Sequence, residues 1–128
     1  MIVFDTHTWV RWAEGGAHLT AAQREAIEDA GQLGVSVISV WEVAKLAASG
    51  RLELDRPAHD WIKDALRRPR LILVPLTPEM AAESAALPGT PPTDPADQII
   101  AATARVLEAR LLTSDSKLEA YPHVETVV

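Results

Sequence analysis

Short apolar runs alternate with longer amphipathic stretches along nearly the whole chain. "MIVF" (1–4), "LGVSV" (33–37) and "LILVP" (71–75) read as buried-type strands, as do "LLTSD" (111–115) and the closing "VETVV". Between them the apolar positions return at helical spacing. "THTWVRWAEG" sets Trp9 and Trp12 three apart on one helix face. "TAAQREAIEDAG" opens on Thr20 as a cap and stops at Gly31, and "SVWEVAKLAASG" (39–50) is bounded in the same way by Ser39 and Gly50. Pro57 and Pro78 suit first helical turns, before "AHDWIKDALRR" and "EMAAESAAL". "PGTPPT" (88–93) is a loop, followed by the helix in "PTDPADQIIAATARVL" (92–107) and a short helix in "SKLEAY".

Strands that alternate with helices require crossover connections, and these produce a parallel sheet covered by helices. The predicted class is therefore α/β, in one domain spanning residues 1–128.

The carboxyl ends of all strands in such a sheet share one edge, where ligands bind. Asp5 follows the first strand and Asp115 the fourth, while Glu42 is expected in the first turn of the helix leaving the second strand. Asp97 lies in the first turn of a helix that runs back antiparallel to the fourth strand, so it is expected near the same edge. Two carboxylates roughly 4–5 Å apart repel by about 3–4 kcal/mol at an effective dielectric near 20. Four together need protons or a cation.

The chain has no cysteine, which removes disulfides, thiolate zinc sites, iron–sulfur clusters and a cysteine nucleophile. His7, His18, His59 and His123 lack ligand spacing. All-oxygen donors favour a hard ion, Mg²⁺ or Mn²⁺, and hence phosphodiester hydrolysis by an activated water. The competing reading makes each acid a helix cap. Ser39-Val40-Trp41-Glu42 fits a capping box, Asp94-Pro95-Ala96-Asp97 approximates one, and Asp5 and Asp115 each precede a helix.

Charge modifies the picture locally. The net charge of −6 argues against a general phosphate-backbone binder. Yet Lys45, Arg51, Arg56, Lys63, Arg67, Arg68 and Arg70 fall in one stretch, a candidate basic face whose bland alternative is a solvated helix surface. "MIVFDTHTW" lacks the features of a secretory signal, and no apolar run is long enough to span a bilayer, so the expected compartment is the cytoplasm.

These residues resemble the PIN-domain ribonucleases, specifically the VapC-type toxins of bacterial toxin–antitoxin pairs. The likeness runs through "IVFDTHTWVRW", "VSVISVWEVAKL" and "DPADQIIAATARVLEARLLTSDSKL". It implies a three-layer sandwich with a mostly parallel central sheet, and a Mg²⁺- or Mn²⁺-dependent endoribonuclease silenced by a cognate antitoxin and commonly homodimeric. The positions matching the family's metal-binding acids are Asp5, Glu42, Asp97 and Asp115, with Asp94 as an additional acid and Thr113 as a supporting hydroxyl. On this reading Asp5 and Asp97 hold the main ion, while Glu42 and Asp115 act through water or on a second ion. Where much of the family has Arg after the third acid, this chain has Gln98.

Thr6 and Thr8 either position a substrate phosphate or begin the helix. Trp9 and Trp12 either fill the core or shape a groove for an antitoxin helix. Lys45, Arg51, Arg67 and Arg68 are the candidate contacts to the RNA backbone. Two other enzyme classes fit less well. A haloacid dehalogenase-like phosphoryl-transfer enzyme needs Asp-x-Asp, where this chain has His7. A receiver domain needs an Asp at the end of its middle strand, where "LILVP" ends in proline. A non-catalytic binding module remains the third alternative.

Overall fold

The computed structural model describes residues 1–128. Its strands are β1 (Ile2–Phe4), β2 (Leu33–Ser36), β3 (Leu71–Val74), β4 (Arg110–Leu112) and β5 (Thr126–Val127). They form one five-stranded sheet in the order β3-β2-β1-β4-β5, with every pair parallel. The helices are α1 (Thr6–Ala13), α2 (Ala21–Asp29), α3 (Val37–Ala48), α4 (Ala58–Ala65), α5 (Pro78–Ala85), α6 (Pro95–Val106) and α7 (Ser116–Glu119). None is long and apolar enough to cross a membrane.

Strand alternation divides the sheet into two cores. Ile2, Phe4, Leu33, Val35 and Leu112 pack with Trp9, Val10, Ile27 and Trp61 from α1, α2 and α4. Val3 and Leu111 face the opposite way, onto Ile100, Ala101, Ala104 and Leu118 from α6 and α7. This is the three-layer arrangement expected, with an all-parallel sheet rather than a mostly parallel one.

The strand order reverses at β1. The chain first builds outward through β2 and β3, then crosses back to add β4 and β5 on the other side. Beyond the carboxyl ends of β1 and β4 the flanking connections run to opposite sides, the place where sheets of this kind form a ligand-binding crevice. Asp5 and Thr113 stand at that switch point, because Phe4 pairs with Leu112 in register.

One expected boundary moves. α3 begins at Val37 and is capped by Ser36, whose hydroxyl accepts from the Ile38 amide at 3.1 Å. Ser39 is therefore inside the helix, and Glu42 is its sixth residue, beyond the first turn. The predicted Ser39–Glu42 capping box does not form. Gly50 does close α3, with a φ of +75° just past its end.

Trp9 is fully buried and meets Trp61 edge-on at 5.4 Å, and Trp12 stacks on Phe4 at 5.3 Å. The core reading of this pair is correct for Trp9, so no surface groove can use it. Trp41, 54% exposed on α3, is the tryptophan that faces solvent.

Candidate active site

Asp5 is the buried centre of the crevice, 4% exposed. Its Oδ1 accepts from the Thr8 amide (2.9 Å) and the Thr8 hydroxyl (2.7 Å), capping α1. Its Oδ2 accepts from the Thr113 hydroxyl at 2.5 Å. Thr113 Oγ1 in turn accepts from the Asp115 amide at 3.0 Å. One hydroxyl thus joins the ends of β1 and β4, setting Asp5 and Asp115 on the same side of the crevice. Asp115 also caps α7 through the Lys117 amide at 2.8 Å.

Glu42 enters from α3. Its Oε1 accepts from the Thr6 hydroxyl at 2.5 Å, and Thr6 Oγ1 lies 3.0 Å from Ser39 Oγ. Thr6 has a single proton to give. With Glu42 ionised that proton goes to the carboxylate, which leaves Ser39 to donate to Thr6. Thr6 is thus more than a helix-start residue.

Asp94 and Asp97 arrive on α6, which packs beside α3. Asp94 caps the helix, accepting from the amides of Ala96 (2.8 Å) and Asp97 (3.2 Å), with Pro95 at the first helical position. Asp97 makes no cap of its own and points its half-buried carboxyl at the other acids. Burial first, then the negative charges of Asp94, Asp115, Glu42 and Asp5, push its pKa up to about 7. Glu42 is raised as well, by burial above all, with the Thr6 hydrogen bond pulling the other way and Asp94 adding to the rise.

The expected cap reading therefore separates the acids. Asp5, Asp94 and Asp115 are helix caps, whereas Glu42 and Asp97 cap nothing, yet these two are the acids held half-buried among like charges. Capping gives them no reason to be there.

The donor chemistry fits a hard divalent cation, since every candidate atom is a carboxylate or hydroxyl oxygen. No three Asp, Glu or His side chains stand together as a ready-made cage. Asp97 nevertheless feels the charge of four other acids. The two observations agree, because Coulombic coupling extends beyond ligand distance. An ion that keeps several waters suits such an open cluster better than one that needs a full protein shell.

The basic stretch is not brought to the acids. Arg67 and Arg68 precede the amino end of β3, at the edge opposite the crevice, and Arg51 follows the carboxyl end of α3. Arg68 donates to the Ala13 carbonyl and lies over the Trp12 ring, Arg70 donates to the carbonyls of Ile27 and Ala30, and Arg56 pairs with Asp55 and Asp64. Lys45 shares α3 with Glu42, one turn further along, and its ammonium stands 5.5 Å from the Trp41 ring centre. Gln98 spends its amide on the Pro92 carbonyl at 2.8 Å, bracing the proline loop. His7 is exposed, with no partner in a triad.

Residues 2–124 match the family described as PIN domain. The chain belongs to the PIN domain family. It is 36% identical over 126 residues to Ribonuclease VapC22 of Mycobacterium tuberculosis, covering 98% of this chain and 95% of that protein. Its fold resembles a toxin–antitoxin complex chain from Klebsiella pneumoniae, with a TM-score of 0.68 at 21% identity, covering 100% of this chain and 97% of that one. It also resembles a chain of VapBC-1 from nontypeable Haemophilus influenzae, with a TM-score of 0.70 at 19% identity, covering 98% and 96%. PIN membership removes the haloacid dehalogenase and receiver alternatives.

Two buried polar residues at this site, Ser39 and Gln23, carry no obvious chemical signal in the sequence. Ser39 reads there as a cap. The Thr20-x-x-Gln23 spacing of a capping box was the available sign for Gln23.

Proposed function

We propose that this chain is a metal-dependent endoribonuclease, a single PIN domain over residues 1–128, acting as the toxin of a toxin–antitoxin pair. The observation that carries the chemistry is the gathering of Asp5, Glu42, Asp94 and Asp115 around Asp97, whose pKa burial first, and then their negative charge, pushes up to about 7. The full-length likeness to a ribonuclease supports RNA as the substrate. Likeness to chains taken from toxin–antitoxin complexes supports a cognate antitoxin as partner.

Asp5, Asp97, Glu42 and Asp115 would hold Mg²⁺ or Mn²⁺. When bound, the ion supplies charge neutralisation at the scissile phosphate and an acidified water as nucleophile. The protein's part is positioning and proton handling. Asp5 is locked by the hydroxyls of Thr8 and Thr113, so its carboxylate cannot rotate away from the crevice. Thr6 fixes Oε1 of Glu42. Glu42, its pKa raised by burial above all, is an acid suited to take up a proton. Lys45 is placed to meet an RNA phosphate beside the acids. Arg51, Arg67 and Arg68 lie too far around the molecule to share that contact. Homodimerisation and a cytoplasmic location complete the proposal, with the exposed Trp41 face of α3 a natural site for apolar burial.

The test is cleavage of total RNA with Mg²⁺ or Mn²⁺, scored by mapping the new ends. Asp97→Asn should abolish cleavage with the far-UV CD spectrum intact. Persistent cleavage in that variant would remove the assignment, and a non-catalytic module would become the better description.

A further inference from the structure

Gln23 is completely buried on α2, and the chemistry proposed above does not use it. Its Oε1 accepts from the Thr20 amide at 3.1 Å, which closes the capping box of α2 with Thr20 Oγ1 accepting from the Gln23 amide at 3.1 Å. A cap needs nothing more from this side chain. Its Nε2, however, reaches across to the far end of the chain. It lies 3.2 Å from the Thr113 carbonyl, 3.2 Å from Ser114 Oγ and 3.4 Å from the Val127 carbonyl. An amide has two protons, so three acceptors share them.

Those acceptors belong to the short connection that carries Asp115. β4 ends at Leu112, and past it the Thr113 amide still reaches the Val127 carbonyl at 3.1 Å, while the Thr113 carbonyl turns away from the sheet toward Gln23. Thr113 is also the residue whose hydroxyl donates to Asp5 and accepts from the Asp115 amide. Rotation of the Thr113–Ser114 peptide would therefore disturb both acids at once. Gln23 holds that peptide from outside, in a place where water cannot substitute for it.

We infer that Gln23 is a positioning residue of the nuclease site, clamping the Thr113–Asp115 connection so that Asp5 and Asp115 face one ion. The inference rests on the nuclease reading. Gln23 touches no reacting atom, and its effect passes through Thr113.

The experiment compares Gln23→Met with Thr20→Ala in the full chain. Each breaks one half of the α2 capping box, but only the first removes the clamp. Mn²⁺ affinity is measured by titration calorimetry, exchange of the Asp115 amide by NMR, and kcat and KM on an RNA substrate. Gln23→Met should weaken Mn²⁺ binding roughly tenfold, speed exchange at Asp115 and lower kcat more than KM changes. Thr20→Ala should lower the melting temperature yet leave Mn²⁺ affinity within about twofold of wild type, as expected of a cap alone. Equal Mn²⁺ affinities in Gln23→Met and Thr20→Ala would overturn the clamp. If Gln23→Met does not fold, Gln23→Asn, whose amide is one methylene too short to reach Thr113, takes its place under the same criteria. Wild type that neither binds Mn²⁺ nor cleaves RNA would overturn the nuclease reading itself and the clamp with it, whereas a competent wild type with an unaltered Gln23 variant would overturn the clamp alone.

Discussion

Thr6 donates its hydroxyl to Oε1 of Glu42 at 2.5 Å, linking the first turn of α1 to the middle of α3. This bond opposes the burial that raises Glu42. Thr6→Val should therefore move the Glu42 pKa higher still and shift the acid limb of the cleavage pH profile upward. The lost hydrogen bond should cost about 1 kcal/mol of stability. Thr6→Ser keeps the hydroxyl and should restore both. A profile unmoved in Thr6→Val would detach Glu42 from the reaction.

Asp97 predicts an inverted pH dependence for the metal-free protein. Its folded pKa, about 7, stands well above the ordinary aspartate value of 3.8. Between those values the folded state keeps a proton that the unfolded state has released, so stability falls as pH rises through this window. Below it both states are protonated and the contribution disappears. Above about pH 7 the full destabilisation applies. Asp97→Asn should then raise the melting temperature at pH 8, by an amount equivalent to about 1–2 kcal/mol once solvent screening of a half-exposed group is discounted. At about pH 3 the two proteins should melt within about a degree of each other, because neither side chain carries much charge there in either state.

Divalent ions should reverse that penalty. Mg²⁺ or Mn²⁺ at about 100 times its dissociation constant stabilises a one-site protein by roughly 2.7 kcal/mol. Differential scanning fluorimetry should show the gain in wild type and not in Asp97→Asn. Because Asp97 must lose its proton, affinity should weaken as pH drops below about 7, with proton release on binding. Calorimetry in buffers of different ionisation enthalpy would detect that proton, and its absence would argue against Asp97 as a ligand.

Basic residues separate by edge. Arg68→Ala should lower the melting temperature, since it loses the Ala13 carbonyl and its packing on Trp12, without altering the salt dependence of RNA cleavage. Lys45→Ala should reduce that dependence by about one phosphate contact. The opposite pattern would place the RNA on the amino edge of the sheet.

Glu108 offers a stability change remote from the crevice. It follows α6 with a φ of +51°, where the Ala109 amide closes onto the Ala104 carbonyl at 2.9 Å. Glycine is the residue that fits this left-handed position. Glu108→Gly should stabilise by about 0.5–1 kcal/mol in thermal melts, with cleavage unaffected.

Local signals in the sequence were enough for the alternating strands and helices, the parallel sheet, the caps Thr20 and Asp94, and the placing of Asp5 and Asp115 after strands. Each depends on neighbours a few residues away: hydrophobic period, a capping side chain, a proline at a first turn. The start of α3 was ambiguous at that level, because Ser36 and Ser39 both precede apolar residues and Ser39 has Glu42 at the better spacing. Burial of Ser39 against Thr6 decides it, through a contact 33 residues distant in the chain. The same holds for the site. The sequence alone placed Asp5 and Asp115 after strands and Asp94 and Asp97 at the start of α6, since backbone pattern is local. Only the tertiary structure decided that Glu42 and Asp97 are the acids that cap nothing, that the arginines turn to the far edge, and that Gln23 reaches 90 residues along the chain to hold Thr113. Charge repulsion, burial and shared protons act through space, and the spacing of letters along a chain does not encode them.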